Sequence, residues 1–523
     1  MKNFFGKFKD KIILVWNKIK PAFVKKNLKF FISGICGAVI LVCAVYFCVR
    51  RGQVIDAFSQ IESYSEEELF ILENALREKK FERSKTVHKL PYDTIPAKLD
   101  VNAESAILIN ADTGDILYEK SADELIPPAS MTKVFLMYTV FQKIHEGKTS
   151  LDDVVPLPEE TWASHMPPHS SLMFLGKGQI VTLRELLQGL AVCSGNDASH
   201  AIALYLFGSE EKFIGTVNDE IKKCGLEKTK IVEPSGYSEE NLTTAREMAA
   251  FARIYITKFP ESLKEFHSLK KFAYPKPENI AKEDAGKPVQ DLSKGHPDSI
   301  WSGLEQENTN KLLKTLEGCD GLKTGYIDES GYNLSLTAVR NGERYLSVTM
   351  KGPGGRYADG EKLRQKDGRT LMEFAFDNFV EIKADEKIDS EYFINEKMTG
   401  YENSSDVCKK YIRFITPVIG TKNILSGSAN TAGLIAPYEI NTVVPKFFNG
   451  KEVDALNDLK VEIEREKIIF GPVKTGDKFG SIKVFVKDIL IEEIPLVCDR
   501  TINKKSSFIA RGFDRLILKT IEK

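Results

Sequence analysis

PPASMTKVFLMYTVF, residues 127–141, is the stretch on which the reading of this 523-residue chain turns. Two prolines lead into a strongly helical run, so Ser130 falls on the first turn of a helix. Lys133, three residues on, shares its face, which lets the ammonium approach the hydroxyl. A serine hydroxyl is a weak nucleophile until a base takes its proton. A lysine can do this only if its pKa falls by several units from about 10.4. Burial and a second positive charge would achieve that fall. The helix N-terminus adds backbone N–H donors near the place where an oxyanion would form. Alone, S-x-x-K is equally a capping serine followed by a solvated lysine, so the rest of the chain must decide.

Two further elements follow in order. Ser194-Gly195-Asn196, in LLQGLAVCSGNDASHAIALYLF (186–207), interrupts two apolar helical segments with a small polar turn. A hydroxyl and a carboxamide beside a lysine would relay a proton and hold a substrate amide. Taken alone, this is a helix-linking turn with Asn196 or Asp197 as cap. Lys323-Thr324-Gly325, in CDGLKTGYIDESGYNLSL (319–336), lies on a strand-like segment preceded by turn residues. Lys323 would supply the second positive charge and Thr324 a donor to a carboxylate, while Gly325 would let a substrate backbone come close. Taken alone, the triplet is a surface strand end. A second Lys-Thr-Gly, at 474–476 in GPVKTGDKFGSIKV, is followed by Asp477 in a turn-rich stretch and reads as a hairpin turn without chemistry.

The order S-x-x-K, S-x-N, K-T-G resembles the low-molecular-mass penicillin-binding proteins that are serine D-Ala-D-Ala carboxypeptidases, related by fold to the serine β-lactamases. The resemblance runs from about Pro96 to the C-terminus. It includes PASMTK, LLQGLAVCSGNDAS, TAREMA, NTNKLL, DGLKTGY and GYNL. It implies an α/β (α+β) β-lactamase/transpeptidase-like catalytic domain with an antiparallel sheet and helices, followed by a smaller all-β sandwich domain. The reaction it implies is removal of the terminal D-alanine from peptidoglycan stem pentapeptides through an acyl-enzyme on Ser130, inhibited by β-lactams. Lys133 would accept the proton of Ser130, Ser194 would pass a proton to the departing D-alanine, and Lys323 would tune that network. Asn196 would hold the substrate amide, Thr324 would bind the terminal carboxylate, and the backbone N–H groups of Ser130 and Tyr326 would form the oxyanion hole. Neither a cofactor nor a metal is expected.

Three departures from the family pattern stand out. The 274–301 stretch, rich in Pro, Lys and Asp, lengthens the separation of Ser194 and Lys323. Glu233-Pro234-Ser235-Gly236 replaces an Asn-led turn and leaves Glu233 without a role. The N-terminal anchor is also unusual.

Phe30–Val49, FFISGICGAVILVCAVYFCV, carries no charge over a length that as a helix matches a bilayer core of about 30 Å. Nine lysines against Asp10 precede it and keep that end in the cytoplasm. The expected organisation is a basic cytoplasmic segment (1–29), a single-pass transmembrane anchor (30–50) and a charged helical stalk (51–95). A carboxypeptidase domain (96–380) on the periplasmic side, with its insertion at about 274–301, comes next. A β-rich domain (381–502) and an amphipathic C-terminal helix (503–523) complete the chain. The partners expected are the peptidoglycan pentapeptide, β-lactams and the cell membrane.

A formal net charge of −1 argues against an electrostatic nucleic-acid binder. The cysteines show no C-x-x-C pair, which disfavours a disulfide framework and a structural zinc site. His165 and His169 have a spacing that suggests zinc, but the prolines between them point to a surface loop. Gly352, Gly354 and Gly355 lack the Gly-Lys-Ser/Thr of a phosphate loop and read as a strand-end turn, with Arg356 a second candidate for the substrate carboxylate. Two rivals stay open at this point. One is a serine β-lactamase, with Glu233 as the nearby base; the other is a non-catalytic wall-binding scaffold.

Overall fold

Short apolar runs in Ser105–Asn110 (SAILIN) and Asp115–Lys120 (DILYEK) form an antiparallel hairpin closed by a turn at Gly114, φ +86°. A second hairpin joins Gly331–Arg340 to Glu343–Gly352 through Asn341-Gly342, both with positive φ, as a two-residue turn between twisted strands demands. With His88–Lys89 as β1, these strands are β2, β3, β5 and β6, and Cys319–Ile327 is β4. They make one six-stranded sheet in the order β1-β3-β2-β6-β5-β4, in which β4 is an edge. The structure, a computed structural model, describes residues 28–56, 65–91, 98–280, 303–355, 357–384, 413–419, 431–448, 451–454, 457–466, 469–503 and 516. Most of the basic N-terminal segment, of the 274–301 insertion and of the C-terminal helix lies outside the described residues, as does Arg356.

In chain order the longer helices are α1 (Leu28–Asp56), α2 (Glu66–Ser84), α3 (Lys133–His145), α4 (Leu183–Val192), α5 (Asn196–Phe207), α6 (Glu210–Lys223), α7 (Ala245–Lys258) and α8 (Tyr357–Asn378). The helical core sets the position of Ser130. Phe135, Tyr138 and Phe141 of α3 are buried; Phe135 meets the Phe251 ring of α7 at a tilt and Tyr138 meets it edge-on, at 4.2 and 5.1 Å, while Phe141 stacks on Phe259 at 5.5 Å. Each such side chain contributes about 1.5–3 kcal/mol by burial. The first turn of α3 is therefore held by the helix behind it. α4 starts with a capping box, Thr182 with Glu185, which fixes the entry to the segment ending at Ser194.

The C-terminal part is a β domain. Phe379–Lys383 pairs with Asn441–Pro445, and six further strands between Arg413 and Cys498 form a second sheet. The second Lys-Thr-Gly is a turn in this domain: Gly476 has φ +89°, and the Lys474 N–H donates to Asp477 at 2.8 Å.

The charged segment after the apolar run is not a free stalk. Leu72 and Leu76 of α2 are buried in the core of the β domain, beside Val484, Ile494 and Leu496. At the other end of α2, Arg253 of α7, 2% exposed, donates to the carbonyls of Arg83, Thr86, Ala111 and Asp112 at 2.7–2.8 Å. The Arg83 side chain pairs with Glu492 and lies over the Tyr438 ring. α2 therefore ties the two domains together, because its partial apolar face has a partner that local sequence could not reveal.

The expected transmembrane helix is not supported by the fold. Among the described residues, no helix is long and apolar enough to cross a membrane. The apolar run falls on α1.

Candidate active site

The three segments expected to meet do meet. Ser130 lies on a short 3-10 turn, Ala129–Thr132, that runs into α3. Lys133, fully buried, donates to the Ser130 hydroxyl at 2.9 Å, to Asn196 Oδ1 at 2.8 Å and to the Ser235 carbonyl at 2.6 Å. Lys323, 1% exposed, donates to the Ser194 hydroxyl at 2.9 Å and to the Thr324 carbonyl at 3.0 Å. Each serine thus has its own lysine.

Electrostatics turn this geometry into chemistry. Burial lowers the Lys133 pKa to about 7, although Glu233, Asp197 and Cys193 act in the opposite direction. Burial also drives the pKa of Lys323 well down, helped by the positive charges of Lys133 and Arg364. A neutral amine beside a serine hydroxyl near neutral pH is a general base in place. Of its three partners only the Ser130 hydroxyl can also donate, so an uncharged Lys133 keeps its two N–H bonds to Asn196 Oδ1 and the Ser235 carbonyl and turns its lone pair to the Ser130 O–H.

The backbone around both serines is strained. Ala129, immediately before Ser130, has φ +50°, and Ser194 itself has φ +60°. For residues with a Cβ, such conformations cost about 1–3 kcal/mol each and persist only when the surroundings enforce them. Two glycines do so at Ala129. A Cβ on Gly236 would lie 1.9 Å from the Ala129 carbonyl oxygen, and one on Gly325 would lie 2.5 Å from the Pro128 oxygen and 3.2 Å from the Ser130 nitrogen. Gly325 was expected to make room for substrate. In the fold it admits the chain's own nucleophile turn.

Asn196 is 4% exposed and its carboxamide spans Lys133 and Ser170, donating to the latter at 3.2 Å. Asp197, fully buried, accepts from the backbone of Met173, Leu175 and Ala198 at 2.9 Å and so pins the loop that carries Ser170. Thr324 donates to Thr309 at 2.7 Å. Tyr326 is 42% exposed, its ring packed on Tyr332 and its hydroxyl on Asp328.

Glu233 now has a role. Its Oε2 accepts from the Ser235 N–H and hydroxyl at 2.8 and 2.6 Å, and its Oε1 from Gly236 N–H and the Asn241 carboxamide. The carboxylate organises the loop that presents the Ser235 carbonyl to Lys133. Both of its oxygens are taken up by that loop, which weakens the feature on which the lactamase alternative rested.

Sequence reasoning missed three contributors. Arg364 of α8, 5% exposed, donates to the Gly325 carbonyl at 3.2 Å beneath β4. His267, fully buried, carries the Nδ1 hydrogen that bonds the Leu322 carbonyl at 3.0 Å, while its Nε2 accepts from Tyr255 at 3.0 Å. Burial lowers its pKa to about 4, so it is a neutral strut behind Lys323. Thr309 is the third. Only NTNKLL, as a string, hinted at it. His165 sits on a short turn 3.6 Å from Glu159, and no group of three or more potential metal ligands occurs among the described residues.

Residues 92–354, just over half of the chain, match the family described as D-alanyl-D-alanine carboxypeptidase. The chain belongs to the D-alanyl-D-alanine carboxypeptidase family. Residues 416–504 match the C-terminal domain of penicillin-binding protein 5. The chain is 28% identical over 414 residues to D-alanyl-D-alanine carboxypeptidase DacF of Bacillus subtilis, covering 79% of this chain and 89% of that one. It is 28% identical over 402 residues to DacA of Escherichia coli K12, covering 75% and 89%. Among solved structures it resembles the D-alanyl-D-alanine carboxypeptidase DacD of Francisella tularensis, with a TM-score of 0.53 and 26% identity over 79% of this chain and 96% of that one. As a member of this family the chain is a serine-type D-Ala-D-Ala carboxypeptidase, a hydrolase.

Proposed function

We propose that the enzyme removes the terminal D-alanine from peptidoglycan stem pentapeptides on the outer side of the cell membrane, and that β-lactams acylate the same serine. The observation that carries this reading is the pair of buried lysines, each 2.9 Å from a different serine in one pocket. Lys133, neutral, takes the proton of Ser130 as its oxygen attacks the carbonyl between the two D-alanines. The N–H groups of Ser130 and Tyr326 hold the oxyanion. Ser194, its hydroxyl held by Lys323, passes the proton that Lys133 took from Ser130 on to the amine of the departing D-alanine as the C–N bond breaks, which leaves Lys133 neutral again. Asn196 holds the substrate amide, and Thr324 binds the terminal carboxylate. Water, deprotonated by Lys133, then cleaves the ester and restores Ser130.

Placement at the membrane rests on the uncharged run Phe30–Val49 and the lysines before it. Val39, Ile40, Leu41 and Val42 on α1 are more than half exposed, an arrangement that lipid would satisfy and water does not. The test is mass spectrometry of the intact protein after exposure to penicillin, together with D-alanine release from a pentapeptide. An adduct on the native enzyme that is absent from Ser130→Ala, with D-alanine released only by the former, is the expected result. An adduct retained by Ser130→Ala would overturn the site.

A further inference from the structure

Thr309 touches both halves of the pocket. Its backbone N–H donates to the carbonyl of Val192, the last residue of α4 and two positions before Ser194, at 3.1 Å. Its hydroxyl accepts from the Thr324 hydroxyl at 2.7 Å. No other bond of the Thr309 hydroxyl is seen among the described residues. The residues on either side fix it in place. Asn310, 4% exposed, donates its carboxamide to the Gly321 carbonyl on β4 at 3.0 Å. Asn308, equally buried, donates its own to the Leu269 carbonyl at 2.8 Å. The Thr309 hydroxyl is thus mounted on a rigid segment sutured to β4, to the Leu269 turn and to the end of α4.

We propose that Thr309 is a positioning residue for the carboxyl end of the substrate. The inference rests on the reading of Thr324 as the carboxylate donor. Thr324 is β-branched, so its hydroxyl and methyl can exchange places by one χ1 rotation. The contact with Thr309 selects the rotamer that keeps the oxygen in the pocket. When a carboxylate arrives, the stronger charge-assisted bond draws the Thr324 hydrogen to it. The Thr309 hydroxyl then turns to donate to the oxygen that Thr324 has freed. Two hydroxyls in series, the second ending on an anion, polarise one another. Thr309 acts in binding the carboxylate and leaves the acylation of Ser130 by Lys133 untouched.

The test is a double-mutant cycle with Thr309→Val, Thr309→Ser and Thr324→Val, reading KM and kcat for D-alanine release from a pentapeptide. Thr309→Val keeps shape and the N–H bond to Val192 but removes the hydroxyl. The expected result is a KM about fivefold higher with kcat within about twofold, the scale of one neutral hydrogen bond. Thr309→Ser should return to native values, and Thr309→Val should add nothing in a Thr324→Val background. A native-like or lowered KM in Thr309→Val, or equal losses in kcat and KM with a lower melting temperature, overturns the proposal. So does full additivity in the cycle. If the native enzyme itself releases no D-alanine, the failure belongs to the proposed function and not to Thr309.

Discussion

Lys323 meets Ser194 at 2.9 Å across 129 positions of sequence, with both side chains nearly sealed from solvent. That contact closes the pocket between the helical part and the edge strand of the sheet. It makes Lys323 a donor to the hydroxyl that, in the proposed mechanism, passes a proton to the leaving amine. Lys323→Met should therefore lower kcat for D-alanine release by about 10²–10⁴, the range of general acid–base catalysis. Rapid-quench kinetics with a pentapeptide would show this, and retention of more than a tenth of kcat would mean that Ser194 works without Lys323.

The pH dependence follows from Lys133. Its pKa is lowered to about 7, and only the neutral amine accepts the Ser130 proton. Activity should fall about tenfold per pH unit below 7 and level off above it, because protonation removes the base. The measurement is kcat/KM from pH 5 to 9. A rate independent of pH across 6 to 8 would show that Lys133 does not titrate where its burial places it.

Glu233 gives a sharper version of the same test. Its negative charge is the largest influence holding the Lys133 pKa up against burial. Replacing it with glutamine should move the acidic limb of the pH profile below 7. Penicilloyl-enzyme release, followed with a fluorescent penicillin, should change by less than about tenfold, since the residue shapes a loop and activates no water. Loss of release by several hundredfold would instead make Glu233 the deacylating base.

Gly325→Ala tests the packing at the nucleophile turn. The new methyl would sit 2.5 Å from the Pro128 oxygen, so either β4 or the Ser130 turn must move. Overpacking of this kind costs about 1–3 kcal/mol. Shifts of about 1 Å at a reacting serine reduce rates by about a hundredfold. The expected outcome is a modestly lower melting temperature with a disproportionate loss of penicillin acylation. Near-normal acylation would mean that the turn yields without consequence.

The pocket was largely legible because its chemistry is written in side chains. Ser130 and Lys133 share a helix face by spacing alone, and Lys323 carries a turn on one side and an apolar strand on the other. What was illegible is carried by the backbone and by contacts between distant segments. That Gly325 and Gly236 both abut Ala129 depends on how three loops pack. Thr309, His267 and Arg364 look like ordinary polar residues until their partners, Thr324, Leu322 and Gly325, are brought beside them. The hairpin at Asn341-Gly342 was readable because both of its positive φ angles are local. α2 was not, since its partners lie in a domain more than 300 residues further on.

That helix carries the last prediction. Leu76 is 1% exposed among residues of the β domain, while the far end of α2 is held to the catalytic domain by Arg253. Leu76→Ala leaves a cavity in the β-domain core, a change that costs about 2–5 kcal/mol. Because Arg253 and Arg83 remain, the catalytic domain should keep its stability and its penicillin acylation. Calorimetry should then show one transition moving down and separating from the other, with fluorescent penicillin still binding between the two. A single transition that falls as a unit, taking acylation with it, would mean that α2 couples the two domains into one cooperative body.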